Sequence, residues 1–68
     1  MKFYETFSKT LSNDREVVLS CSCDICKAEV VEFTFEVKNH NALNFSESEI
    51  EECNKLAHKW ADETAMSL

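Results

Sequence analysis

The sequence predicts a small α+β domain in which a short antiparallel sheet packs on one carboxy-terminal helix. An alternating apolar pattern over residues 31–37 indicates a strand with one buried face. An amphipathic segment with a helix-capping signal begins at Ser46. Three of the four cysteines lie within residues 21–26, where a bound metal would help so short a chain to fold.

The 68 residues are predicted to form a single metal-stapled domain over residues 1–68, because chains below ~70–80 residues usually need a staple. No apolar run approaches the ~20 residues of a membrane span. The first residues also lack the apolar stretch of a secretory signal. We therefore expect a soluble cytoplasmic protein without a membrane partner, in which cysteines are reduced or hold metal.

The charge balance restricts the classes of partner. Thirteen acidic and seven basic residues give a net charge of -6. Nonspecific nucleic-acid binding depends on Lys and Arg neutralising phosphates, so we expect no direct binding to nucleic acid. An acidic surface favours basic partners and would also suit a mimic of DNA. The absence of glycine excludes glycine-rich phosphate loops and the glycine-dependent nucleophile elbow.

Three segments have strand character. Residues 2–11 fit both a helical stripe and a strand, but their Phe, Tyr and Thr content and the turn signal at 12–14 favour the strand. Residues 16–22 form the second predicted strand, and residues 28–38 form the third. The alternation places two sets of residues on buried faces: Val17, Leu19, Cys21 and Cys23 on one strand, and Val31, Phe33, Phe35 and Val37 on the next. The cysteine cluster is then the tip of a hairpin.

The helix is predicted from residue 47 to about residue 65. Ser46 and Glu49 match a capping box, and Phe45 with Ile50 matches a hydrophobic staple. At ~100° per residue one apolar stripe faces the sheet, formed by Ile50, Cys53, Leu56, Ala57, Trp60 and Thr64. Cys53 lies near the centre of this stripe.

The cysteines predict a structural zinc site. Zinc takes four ligands in a tetrahedron, usually Cys thiolates and His nitrogens. Cys23 and Cys26 would turn inward on one metal, Cys21 would add a third ligand from the same strand face, and Cys53 would supply the fourth. His40 is the alternative fourth ligand, and the alternative to a zinc site is free thiols with Cys53 as a small core residue. His58 is expected to face solvent, because five helical residues rotate it ~140° away from Cys53.

Residues 21–26 resemble the knuckle half of zinc-ribbon and treble-clef domains. A ribbon would show a second cysteine pair, and a treble clef would place two ligands in the first turn of its helix. The chain has neither, and Lys27 stands where a glycine commonly follows the second cysteine. The resemblance therefore implies a knuckle-like metal site and no inherited activity.

The sequence favours a non-enzymatic interaction module. We expect a small regulator or inhibitor that binds a larger protein through its acidic helix face or a sheet edge. Very short, acidic, glycine-free chains of this kind resemble accessory proteins of phages. The alternatives are a nucleic-acid-related protein, as a zinc knuckle or an acidic DNA mimic, and a redox protein that uses Cys23 and Cys26 as a dithiol.

Overall fold

The computed structural model describes residues 1–38 and 44–67. Three strands, β1 (Lys2–Thr10), β2 (Glu16–Cys26) and β3 (Glu29–Val37), precede one helix, α1 (Glu47–Met66). The strands form an antiparallel sheet in the order β1-β2-β3, so β2 is central and the other two are edges. The predicted α+β class is confirmed, and residues 2–10 form the strand that the turn signal favoured.

Helix α1 begins where the capping signal places it. The Ser46 hydroxyl accepts a hydrogen bond from the backbone N–H of Glu49, and the Glu49 carboxylate accepts one from the backbone N–H of Ser46. These two bonds satisfy donors that the first helical turn leaves without partners. In the part of the chain that the structure describes, no helix is long and apolar enough to cross a membrane.

The core lies between β2 and the inner face of α1. Val17, Leu19 and Cys21 of β2 are fully buried against Cys53 and Ala57 of the helix. The small side chains on the helix allow its backbone to approach the sheet closely. Six aromatic side chains from β1, β3, α1 and the segment before α1 are partly buried around this centre: Phe3, Phe7, Phe33, Phe35, Phe45 and Trp60.

The hairpin between β2 and β3 differs from the prediction. Strand β2 continues through the cysteine cluster to Cys26, and the turn consists of Lys27 and Ala28. Both turn residues have positive φ, 55° and 64°, as a tight type I′ turn requires. The cysteine cluster is therefore part of a strand rather than the tip of a hairpin, because the two-residue turn begins only after Cys26.

A bulge changes the phase of β3. Asp24 pairs with Glu32 and Ile25 pairs with Val30, so Val31 has no residue opposite it. The side chain of Val31 is 60% exposed, and its predicted place on the buried face is wrong. One extra residue on a strand reverses the alternation at that point. Beyond the bulge the prediction is confirmed, because Val37 is buried and Phe33 and Phe35 pack against the core.

A polar clamp joins the β1–β2 turn to the start of α1. Arg15 forms an ion pair with Glu49 at 3.1 Å, and its guanidinium lies 4.1 Å from the centre of the Phe45 ring. Glu52 accepts hydrogen bonds from the backbone N–H and the hydroxyl of Ser12, at 2.8 and 2.9 Å. The clamp fixes the amino-terminal end of the helix over the sheet.

Candidate functional site

Three of the four predicted zinc ligands lie in the protein interior. Cys21 and Cys53 are fully buried in the same apolar cluster, and Cys23 is 2% exposed in the neighbouring cluster. The shared face of Cys21 and Cys23 and the inward direction of Cys53 are confirmed. Cys26 differs from the prediction because it is exposed. It follows buried Ile25 at the end of β2, where alternation sends its side chain away from the helix.

The buried cysteines have the properties of small apolar core residues. Burial, with smaller effects from Glu5 and Cys23, raises the pKa of the Cys21 thiol from 9.0 to about 11. Burial also raises the pKa of Cys23 and of Cys53. All four cysteines are free. The three buried residues pack in these clusters as small apolar side chains.

The described geometry lends no support to a metal centre. Within residues 1–38 and 44–67, no three or more His, Cys, Asp or Glu side chains form a group that could hold a metal ion. A four-thiolate site would need Cys26 to cross to the helix-facing side of β2. Zinc binding by Cys21, Cys23, Cys26 and Cys53 stays a prediction from their spacing.

The two histidines have different outcomes. His58 is exposed on α1, as predicted, and its ring stacks on Phe33 with 4.2 Å between ring centres. This contact places His58 over β3, on the residue that pairs with Cys23 of β2. His40, the alternative fourth ligand, lies outside the described residues.

An apolar depression with an acidic border lies between β3 and α1, and we call it the β3 groove. It has a volume of about 410 Å³ and is lined by Phe35, Phe45, Glu47, Ile50, Glu51 and Asn54. Ile50 is 40% exposed there, so its predicted place on the sheet-facing stripe is wrong. No Lys or Arg is among the described residues that line it. The β3 groove therefore offers apolar contact area beside two carboxylates, and the guanidinium of Arg15 lies on the ring of Phe45 at its border.

A second depression, the β1 groove, lies on the opposite side of the helix. It measures about 330 Å³, and its lining includes Phe7, Leu56 and Trp60 together with the charged residues Glu5, Lys9, Lys59 and Glu63. The Phe7 and Trp60 rings are 6.4 Å apart. Two carboxylates and two ammonium groups balance in the β1 groove, so its charge differs from that of the β3 groove.

Comparisons with models of protein families, with curated proteins and with solved structures found no match to this chain. The candidate function therefore rests on the geometry of the chain itself.

The sequence analysis missed both grooves and the role of Arg15. The staple signal identified Phe45 and Ile50 as a local pair at the start of the helix. Which side of the helix these residues share with Phe35 depends on how α1 crosses the sheet. The cation of Arg15 on Phe45 and its ion pair with Glu49 join residues far apart in the chain, and local periodicity carries no signal for such pairs.

Proposed function

We propose that the protein is a small, non-enzymatic cytoplasmic interaction module that regulates or inhibits a larger protein by binding it through the β3 groove. The observation that supports the proposal is the combination in this groove of Phe35, Phe45 and Ile50 with the carboxylates of Glu47 and Glu51. Solvent-exposed apolar surface with a polar border is typical of protein-binding sites.

We infer the class of partner from the chemistry of the groove. An apolar side chain of the partner would gain by leaving water against Phe35 and Ile50, at ~25 cal/mol per Å² of apolar surface. Lys or Arg residues beside that side chain would lie close to Glu47 and Glu51. The net charge of -6 would raise the rate of encounter with such a basic surface. The proposed partner therefore presents an apolar anchor flanked by Lys or Arg.

A peptide probe tests this assignment directly. A short peptide that alternates Lys with Leu should shift the backbone amide NMR signals of Phe35, Phe45 and Ile50 in the ¹⁵N-labelled chain. Its affinity should fall as salt rises, because exposed charge pairs are screened. A peptide in which Glu replaces each Lys should bind at least about tenfold more weakly.

Matched variants locate the binding surface. Changing Glu47→Lys and Glu51→Lys together should weaken binding of the Lys-Leu peptide by about tenfold or more. Glu5→Lys and Glu63→Lys together make the same change in net charge on the other side of the helix and should weaken it less. Equal losses in the two double variants, or amide shifts confined to residues outside the β3 groove, would contradict the proposal.

The natural partner can be selected by the same variants. The proposed partner is a host protein that binds the wild-type chain and the Glu5→Lys, Glu63→Lys variant. It should not bind the Glu47→Lys, Glu51→Lys variant. If DNA displaces the chain from that partner, the result would favour the alternative function, in which the chain mimics DNA. Retention in the presence of DNA would favour regulation at another surface.

Zinc binding has a separate test. The cysteine spacing predicts one zinc per chain in native mass spectrometry and unfolding when a chelator removes the metal. Cys26→Ser should then lower zinc affinity, whereas His58→Ala should leave it unchanged. A chain that is metal-free and stays folded in chelator would exclude structural zinc and leave the groove proposal intact.

A further inference from the structure

Strand β1 forms a long, regular edge, and no other strand in the described part of the chain pairs with its outer side. All nine residues, Lys2–Thr10, pair with β2 without a register shift. The backbone N–H of Ile25 donates to Met1 and that of Leu11 donates to Arg15, both at 2.8 Å. Because backbone bonds alternate along an antiparallel pair, the odd-numbered residues of β1 bond to β2. The even-numbered residues therefore direct their N–H and C=O groups outward.

The other edge of the sheet is less suited to receive a strand. The bulge at Val31 interrupts the pairing of β3 with β2, and bulges at sheet edges hinder further pairing. The charged residues within β3 are all acidic: Glu29, Glu32 and Glu36. Two copies of β3 would bring like charges together, whereas β1 carries both signs.

The charges of β1 are complementary to those of a second, antiparallel β1. If Phe7 lies opposite Phe7 of the second copy, Glu5 lies opposite Lys9 and Lys9 lies opposite Glu5. On the outer face Thr6 of one copy then lies opposite Ser8 of the other. These even-numbered residues supply the backbone hydrogen bonds between the two β1 strands. Phe7 is an odd-numbered position without outward backbone groups, where side chains of an antiparallel pair approach most closely.

Other two-fold registers lose this complementarity. Centring the axis on Thr6 places Glu5 opposite Phe7 and Phe3 opposite Lys9. Centring it on Glu5 places two carboxylates opposite each other, which is destabilising. Among the described residues neither Glu5 nor Lys9 forms an ion pair within the chain. The Lys9 ammonium lies 5.8 Å from the centre of the Phe7 ring, beside the proposed axis.

We propose that the protein self-associates as a two-fold dimer through β1, with Phe7 opposite Phe7, to form a continuous six-stranded sheet. Both helices then lie on the same side of this sheet, and the β1 groove of each copy lies beside the Phe7 of the other. The dimer buries the edge of β1 and leaves both β3 grooves accessible. This inference goes beyond the proposed function and does not depend on it.

The oligomeric state of the full chain tests the dimer. Sedimentation over a range of concentrations should show a monomer–dimer equilibrium. Glu5→Lys should raise the dissociation constant about tenfold or more, because both cross-strand pairs become Lys–Lys. Lys9→Glu should do the same, because both pairs become Glu–Glu.

A mixture of the two variants separates the proposed register from a general effect of charge. Glu5→Lys mixed with Lys9→Glu restores opposite charges in both pairs, so the mixture should form a heterodimer more tightly than either variant forms a homodimer. Circular dichroism of each variant should show that it is folded. Glu36→Lys on β3 is the control and should leave the dissociation constant unchanged.

Two results would overturn the inference. One is a wild-type chain that stays monomeric up to about millimolar concentration. The other is a dimer that Glu5→Lys and Lys9→Glu leave as tight as the wild type, since such a dimer would use another surface. Either result can occur with the peptide still bound in the β3 groove, so failure of the dimer and failure of the proposed function are distinguishable.

Discussion

The two sides of helix α1 show how one sheet can present two different binding surfaces. On the β1 side, a regular edge strand borders a groove in which two acidic and two basic residues balance. On the β3 side, a bulged strand borders a groove that contains acids without a basic residue among its described lining. The balanced side is complementary to a copy of itself, whereas the acidic side is complementary to a basic partner.

The difference in charge arises from the helix as well as from the strands, because Glu47 and Glu51 of the β3 groove both lie on α1. Residues of helix α1 line both grooves, but the helix packs mainly on β2 and β3. On the β1 side, Trp60 covers part of the remaining space by packing near Phe7. On the β3 side, Ile50 stays 40% exposed. Truncation should therefore lower the free energy of unfolding more at Trp60 than at Ile50.

The largest effect is expected from removing Trp60. Trp60→Ala should lower the free energy of unfolding by about 3 kcal/mol, because the ring packs against both apolar clusters. Ile50→Ala should cost about 1 kcal/mol, since much of that side chain is already in contact with water. Urea unfolding of both variants measures the difference, and equal costs would mean that the two sides are packed alike.

The next effect distinguishes two valines of the bulged strand. Val37→Ala should cost about 2 kcal/mol because Val37 is buried against the core. Val31→Ala should change stability by less than about 0.5 kcal/mol, as expected for an exposed side chain. A large loss of stability in Val31→Ala would indicate that Val31 is buried and would contradict the bulge in β3.

A smaller effect of opposite sign is expected at the turn that precedes β3. Ala28 has a φ of 64°, which costs an L-residue ~1 kcal/mol and costs glycine almost nothing. Ala28→Gly should therefore raise the free energy of unfolding by up to about 1 kcal/mol. The same change in α1, Ala65→Gly, should lower it by about 0.5–1 kcal/mol. Destabilisation by Ala28→Gly would contradict the left-handed turn.

The smallest effect is expected at the clamp between the β1–β2 turn and the helix, because solvent screens a partly exposed pair. The hydrogen bond from the backbone N–H of Ser46, followed by bonds from Asn13 and Arg15, lowers the pKa of Glu49 from 4.5 to about 2. A folded-state pKa below the unfolded value stabilises the protein above about pH 4.5. That contribution is lost as the pH falls towards 2.

Glu49→Gln should make the acid-induced loss of stability shallower across this pH window, as measured by urea unfolding at a series of pH values. Glu51→Gln, at an exposed position of the same helix, is the matched control and should follow the wild-type pH dependence. Identical profiles for Glu49→Gln and the wild type would show that the clamp does not depend on the charge of this carboxylate.

Much of the fold could be predicted because its signals are local. The capping box marked the start of α1, and the alternation of Val17, Leu19 and Cys21 marked the buried face of β2. The site was predicted less well. Cys21, Cys23 and Cys53 were recognised as inward-facing, but the position of Cys26 depended on where β2 ends. A two-residue turn with positive φ at Lys27 and Ala28 lacks its usual glycine signal in this chain, and only the position of Lys27 after the second cysteine pointed to it.

The sequence by itself determined that this protein is a small acidic α+β domain, because periodicity, capping and charge act within a few residues. Only the tertiary structure decided which side of the helix each groove occupies and which valine of β3 leaves the core. Those features depend on the crossing of α1 over the sheet and on one unpaired residue opposite β2. Both are set by contacts between residues far apart in the chain, and the two proposed binding surfaces follow from them.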